Sequence, residues 1–198
     1  AARIPVRFHL EIAASVSKPS RRDLWGPDPG PRYQDGPHGP ITKIGNHMSR
    51  NTILLVEDSP DDAELALRAF AKSKIENRLV VAHDGVEALD YLFGTGAYAQ
   101  SPPEMPEIVL LDLNLPRLPG LEVLRRLRAD ARTKYLPAIV LTSSAHEQDI
   151  LQSYDLGANS YVRKPVDFAQ FVEAARQLGV YWLQLNHKVP APDRLARP

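Results

Sequence analysis

The sequence has no cysteine in its 198 residues, which excludes disulfides, thiol nucleophiles and cysteine-based zinc sites. It has no surplus of either charge, since 24 Lys and Arg face 24 Asp and Glu. The balance conceals an asymmetry: residues 1–47 hold seven of the bases and four of the acids, leaving 17 and 20 for residues 48–198. A mildly acidic remainder gives no electrostatic footprint for nucleic acid. No apolar run approaches the roughly 20 residues needed to cross a bilayer. The opening "AARIPVRFHLEIAASV" lacks the continuous apolar stretch of a secretory signal. These absences make a soluble, cytoplasmic protein the default expectation, with neither nucleic acid nor membrane as a partner.

Proline and glycine crowd the start. Seven Pro and five Gly fall within residues 1–47, and "GPDPGPRYQDGPHGP" spaces them too densely for helix or strand. Such a segment cannot bury enough apolar surface to offset its ordering entropy. His47-Met48 matches a common cloning junction, and Met48 stands where an initiator would, just ahead of a strand-like run. Residues 1–47 are therefore expected to be a non-native or disordered extension. A native tail that binds a partner is the alternative. Residues 48–190 form the expected domain, of a size able to bury a real core, and residues 191–198 an expected disordered tail.

From Met48 the chain alternates. Strand-like runs occur at Ile53–Val56, Leu79–Ala82, Ile108–Leu111, Ala138–Leu141 and Tyr161–Val162. Between them, Ala63, Ala66, Leu67 and Phe70 follow helical spacing, as do Phe168, Phe171, Val172 and Ala175. Val86, Leu89 and Tyr91–Phe93 suggest a further helix, Leu121, Leu124 and Leu127 another, and Ile150, Leu151 and Tyr154 a fifth. Five strands alternating with five helices predict an α/β fold, a parallel sheet doubly wound with helices on both faces. Runs of Val, Ile and Leu without alternation suit strands covered on both sides.

The chemistry gathers at the strand ends, where open α/β sheets bind their ligands. The first strand ends "LLVEDS" and delivers Glu57 and Asp58; the third runs four apolar residues straight into Asp112. If these strands are neighbours, three carboxylates converge, and one keeps a proton unless a cation compensates. Oxygen ligands without His or Cys point to a hard ion, Mg²⁺ before Ca²⁺. The fourth strand adds the hydroxyls of Thr142, Ser143 and Ser144, and the fifth, "YVRKP", brings Lys164. A metal, a lysine and a hydroxyl around an aspartate form a cradle for a phosphoryl group, with the carboxylate free to act as nucleophile.

In this order and spacing, "LLVEDS", "VLLDLNLPRLPG", "IVLTSS" and "YVRKP" resemble the receiver domain of two-component response regulators over about residues 51–180. The resemblance implies a flavodoxin-like (βα)5 three-layer sandwich with strand order 2-1-3-4-5. It implies Asp112 as phosphoacceptor, modified to 4-aspartylphosphate, with Glu57, Asp58, Asp112 and the backbone carbonyl of Asn114 holding Mg²⁺. Thr142 and Lys164 would contact the phosphoryl group, Tyr161 would swing inward as a switch, and Lys164–Pro165 would be a cis peptide. Asn114 and Ser144 would flank the route of attacking water and tune the lifetime of the phosphoryl group. More narrowly, "YLFGTGAYA", "DLNLPRLPG", "SYDLGANSYVRKPVD" and "WLQLNHKVP" resemble single-domain receivers paired with phytochrome-type sensor kinases. That implies a sensor histidine kinase, a bacteriophytochrome among the candidates, as phosphodonor.

Plainer readings stand beside these. Glu57 and Asp58 could merely cap the helix begun by "DSPDDAEL". Thr142 could be an ordinary strand-end residue, Lys164 a solvated lysine and Tyr161 simple packing. His83, His146 and His187 show no ligand spacing and read as surface residues. The loop 94–106 is long for a connection; it is either a solvated insertion or a docking element. The tail from Val180 to Leu185 is apolar nearly all round, which suggests either packing on its own domain or a homodimer with the fourth-helix face. A switch that is not an enzyme in its own right leads the functional readings, with output through protein contacts. A Mg²⁺-dependent phosphohydrolase would want an acid where Asn114 stands, and a flavin domain an anion-binding loop where "EDSPDD" is acidic. A transcription factor would need a basic recognition helix, and none is evident.

Overall fold

A computed structural model of the chain describes residues 51–187 and Val189. The readings of residues 1–47 and 191–198 lie outside these. Strands and helices alternate as β1 Thr52–Val56, α1 Pro60–Lys72, β2 Arg78–Ala82, α2 Gly85–Phe93, β3 Ile108–Leu111, α3 Gly120–Ala129, β4 Ala138–Thr142, α4 Glu147–Asp155, β5 Ser160–Arg163 and α5 Phe168–Gly179. The strands pair in parallel in the order β2-β1-β3-β4-β5, the doubly wound topology expected. Among the described residues no helix is long and apolar enough to cross a membrane.

The unbroken apolar runs are explained by a core on each side of the sheet. Leu54 and Val56 of β1, Val109 and Leu111 of β3 and Val140 of β4 face α2 and α3, packing with Leu89, Val123, Leu124 and Leu127. The alternate residues Ile53, Leu55, Ile108, Leu110, Ile139 and Leu141 face α1 and α5, with Ala66, Phe70 and Phe171. Each strand residue thus buries its side chain on one side or the other, and period-two alternation of polarity disappears.

The helices begin where local chemistry satisfies their free N–H groups. Ser59, not Glu57 or Asp58, caps α1, its hydroxyl accepting from Asp62 N–H at 3.3 Å with Pro60 in the first turn. Asp84 caps α2 by accepting from Val86 and Glu87 N–H at 2.8 and 2.9 Å, and Asp167 caps α5 through Gln170 N–H at 3.0 Å.

The two segments left open by the sequence have definite structures. The 94–106 loop carries a short 3₁₀ turn, Gly96–Tyr98, and Tyr98 packs edge-on against Tyr91 with ring centroids 5.4 Å apart. Tyr91 also donates its hydroxyl to Glu104 O at 3.4 Å, so the loop is tied back to α2. The tail continues α5 as a π-helix, Val180–Leu185, closed by Asn186 N–H donating to Tyr181 O at 2.7 Å. Trp182 turns inward to the α1–α5 core, whereas Tyr181 and Leu185 stay 37% and 64% exposed.

One glycine decides how closely α3 approaches the sheet. Gly120 opens α3 and donates its N–H to Leu113 O at 3.0 Å. A Cβ there would stand 2.1 Å from Asp112 O and 2.8 Å from Leu113 Cα, both backbone atoms with little room to move. Gly120→Ala is therefore expected to lower unfolding free energy by about 2 kcal/mol, measured by urea denaturation; an unchanged midpoint would mean that the β3–α3 turn yields freely.

Candidate functional site

Strand register brings the charged side chains together. Val56 pairs with Leu111, so the next residues, Glu57 and Asp112, leave adjacent strands side by side. Asp112 N–H donates to Val56 O at 3.1 Å, and Glu57 N–H to Ala82 O at 2.9 Å, which extends the ladders to the rim itself. On the other flank Thr142 pairs with Arg163, and Lys164 N–H donates to Thr142 O at 2.8 Å. Four successive strands therefore present Glu57, Asp112, Thr142 and Lys164 along one edge.

The lysine is the hub. Its Nζ donates to Asp112 Oδ2 and Glu57 Oε2 at 2.6 Å each and to Asp62 Oδ2 at 3.0 Å. The side chains of Lys164, Glu57 and Asp112 are only 11%, 3% and 6% exposed, while Asp62 is 41% exposed. Burial pushes the Glu57 carboxyl up to about 7; Lys164 pulls against it, and the charges of Asp112 and Asp62 add to it. Burial acts on Asp112 in the same sense but is overcome. Hydrogen bonds from Lys164 and Thr142, the lysine charge and the Asn114 N–H hold Asp112 below the usual carboxylate value. Burial alone would lower the lysine pKa, but its bonds to Asp112 and Glu57 raise it above the ordinary value. Asp112 is thus the carboxyl of the group most firmly held in its ionised form, and Glu57 the acid most ready to take a proton.

Three carboxyl groups, Glu57, Asp112 and Asp62, converge on a single ammonium, a local excess of acidic groups. That excess, with donors that are all oxygen, fits a hard divalent ion. Among the described residues no three His, Cys, Asp or Glu side chains are spaced as a ready-made metal cage; the lysine ammonium sits among these oxygens instead.

The structure brings together Glu57, Asp112, Thr142 and Lys164 as the sequence suggested. Asp58 is exposed, and the third acid on the lysine is Asp62 from the first turn of α1. Asp62 was missed because an acid in a first helical turn reads as dipole compensation; only its closeness to the end of β5 gives it a second role. Asn114 is exposed, its N–H donating to Asp112 Oδ1 at 3.2 Å. Tyr161 is half-buried and donates its hydroxyl to Ser144 O at 3.1 Å. His83, His146 and His187 are all exposed, as read. The Lys164–Pro165 peptide corrects an expectation: among the described residues no peptide bond is cis. The lysine side chain is long enough to span the rim from a trans bond, the form that X–Pro ordinarily prefers.

A second tie holds the turn after Asp112. Arg117 adopts a left-handed φ of 62° and pairs with Asp84 at 2.8 Å, linking the β3–α3 turn to the cap of α2. For a residue with a Cβ this conformation costs roughly 1–2 kcal/mol, which the ion pair and the neighbouring packing must sustain.

Lys164→Met, in EDTA at pH 7, is expected to cost about 3 kcal/mol of unfolding free energy, and distinctly less at pH 5. Without the ammonium the rim carboxyls have folded pKa values above their unfolded ones. Such groups cost stability as pH rises from the unfolded to the folded value, so acidification relieves them. Urea unfolding at both pH values measures this, and a cost undiminished at pH 5 would contradict the charge balance drawn here.

Comparison with known proteins agrees with this geometry. The response regulator receiver domain family matches residues 53–176. The response regulator Rcp1 of Synechocystis sp. is 36% identical over 132 residues, 67% of this chain and 88% of Rcp1. The crystal structure of the Mn²⁺-bound form of Rcp1 aligns with a TM-score of 0.64 at 34% identity, covering 70% of this chain and 99% of that one. The phosphorylated cyanobacterial phytochrome response regulator RcpA aligns at 0.66 with 36% identity, covering 72% of this chain and 100% of RcpA. The bacteriophytochrome response regulator AtBRR is 50% identical with a TM-score of 0.57, over 69% and 98% of the two chains. The four strand-end side chains, the sheet order that aligns them and this agreement over most of the described residues make the chain a member of the response regulator receiver domain family, related to the phytochrome response regulators.

Proposed function

We propose that Asp112 is the phosphoacceptor of a signalling switch, charged by a histidine kinase of the phytochrome type. The observation that carries this reading is Lys164 Nζ seated 2.6 Å from the ionised Asp112 Oδ2, with Thr142 bonded to the same carboxylate. An Asp112 oxygen forms a bond to phosphorus as the P–N bond of a phosphohistidine breaks. The product is an acyl phosphate, and the departing imidazole takes a proton from solvent. Lys164 and the Thr142 hydroxyl face the phosphoryl oxygens and stabilise their charge. Glu57, Asp58, Asp112 and the Asn114 carbonyl would hold a divalent ion, read as Mg²⁺. When bound, such an ion supplies positive charge that shields the carboxylate from the incoming phosphoryl oxygens. Hydrolysis by water later returns the carboxylate and releases phosphate, at a rate that Asn114 and Ser144 tune from the rim.

The Mn²⁺-bound form of Rcp1 and the phosphorylated state of RcpA support this reading by relation. Phosphorylation adds roughly −1.5 to −2 charges at the rim. That charge competes for Lys164 and Thr142, whose bonds reach toward Tyr161 through Ser144, and so alters the α4–β5 surface that partners meet. With Mg²⁺ and a small-molecule phosphodonor, intact mass should show one added phosphoryl group on the protein, none on Asp112→Asn and none in EDTA. Modification of the Asp112→Asn protein would overturn the assignment.

A second copy of the chain is the partner proposed for the tail. Tyr181 and Leu185 are 37% and 64% exposed on the π-helix, and Leu151 on α4 is 64% exposed. Scattered exposed apolar residues are ordinary, so the test must be direct. Sedimentation velocity should show a dimer that Leu185→Glu, which leaves the buried Trp182 in place, converts to monomer; a wild-type monomer at tens of micromolar would remove the idea.

A further inference from the structure

Ser144 uses all of its polar groups around the site. Its N–H donates to Thr142 Oγ1 at 3.3 Å, its carbonyl accepts from the Tyr161 hydroxyl at 3.1 Å, and its hydroxyl donates to Asp149 Oδ2 at 2.5 Å. Thr142 is completely buried and bonded to Asp112. Asp149 lies in the first turn of α4, away from the rim cluster.

The direction of every bond in this chain is fixed by donor chemistry. An ionised carboxylate only accepts, and a hydroxyl has one proton to give. Thr142 therefore gives its proton to Asp112 while a lone pair takes the Ser144 N–H. Ser144 gives its hydroxyl proton to Asp149. Two groups at the start of α4 hold Ser144: Asp149 accepts its hydroxyl proton, and the His146 N–H donates to the same hydroxyl oxygen at 3.3 Å, while the helix buries only Ser153 fully. The orientation of the Thr142 hydroxyl thus traces back through Ser144 to the start of α4, where Asp149 is the side chain that accepts the Ser144 hydroxyl proton.

We propose that Asp149 is a positioning residue for phosphoryl binding: by holding Ser144 it aims the Thr142 hydroxyl at Asp112 and at the group Asp112 carries. The proposal rests on Asp112 being the phosphoacceptor. It gains its effect because a donor fixed before the reaction needs no reorganisation during it. A purely structural role is the competitor, since an acid in a first helical turn also stabilises the helix by its charge. The two roles separate at Asp149→Asn, which removes the charge and keeps an oxygen to accept the Ser144 hydroxyl. Asp149→Ala removes both.

The experiment is the equilibrium affinity of the protein for fluoroberyllate with Mg²⁺, a phosphoryl mimic that does not hydrolyse, read by isothermal titration calorimetry. Amide hydrogen exchange at Ser144 in the metal-free protein accompanies it. Asp149→Ala should weaken binding about five-fold, the worth of a single hydrogen bond, and speed exchange of the Ser144 N–H. Ser144→Ala should weaken binding to a similar degree, and the double variant should lose no more than either single one. Asp149→Asn should match wild type in both readouts. Equal affinity for wild type and Asp149→Ala would overturn the proposal while leaving the phosphoacceptor reading intact. Asp149→Asn behaving like Asp149→Ala would overturn it in favour of helix charge. A wild-type protein that does not bind the mimic would overturn the phosphoacceptor reading and this proposal with it.

Discussion

The structure depends at its rim on one ammonium group placed among three carboxylates. Glu57 and Asp112 are nearly excluded from water, and two buried like charges at that spacing repel strongly in a low-dielectric setting. Lys164 makes the arrangement tolerable by bonding both and Asp62 as well. The two carboxyls differ in how far burial is offset. Several donors hold the Asp112 carboxyl below its usual value, while burial, less fully offset, pushes Glu57 up to about 7. A buried carboxylate held ionised among further acids is the arrangement on which the proposed phosphoacceptor role rests.

The sheet makes that placement possible. Parallel strands all end on the same side, so residues that follow β1, β3, β4 and β5 share an edge without any further folding requirement. The register then sets the spacing to within a residue, Glu57 beside Asp112 and Lys164 beside Thr142. Cores on both faces hold the strands rigid beneath the rim. Gly120 lets α3 start almost in contact with the Asp112 backbone, and the Arg117–Asp84 pair fixes the turn between them. The site rests on packed elements on three sides and on a hydrogen-bonded loop on the fourth.

That loop is where the fold can transmit change. Ser144 joins Thr142, Tyr161 and Asp149 through single hydrogen bonds, each of modest net strength. On the proposed reading, a phosphoryl group at Asp112 would compete for the same Thr142 proton and would reach the surface of α4 and β5 by exchanging bonds rather than by breaking a core. The tail is built differently: Trp182 anchors it in the α1–α5 core and leaves Tyr181 and Leu185 outward.

The sequence by itself determined the alternation of strands and helices, the coverage of both sheet faces and four of the rim residues, because these follow from local periodicity and from side chains placed at strand ends. Glu57, Asp112 and Thr142 were legible since each directly follows an apolar run, and Lys164 since it stands just past the fifth strand-like run. Asp62 was not, because it lies 102 residues from the lysine it pairs with, and its own helix gives it a sufficient local reason to be acidic. Nor could the sequence show that Asp58 is exposed, that Trp182 turns inward while Tyr181 and Leu185 do not, or that the Lys164–Pro165 bond is trans. Those outcomes turn on distances between elements that crossover connections bring together, and only the packed tertiary structure fixes such distances.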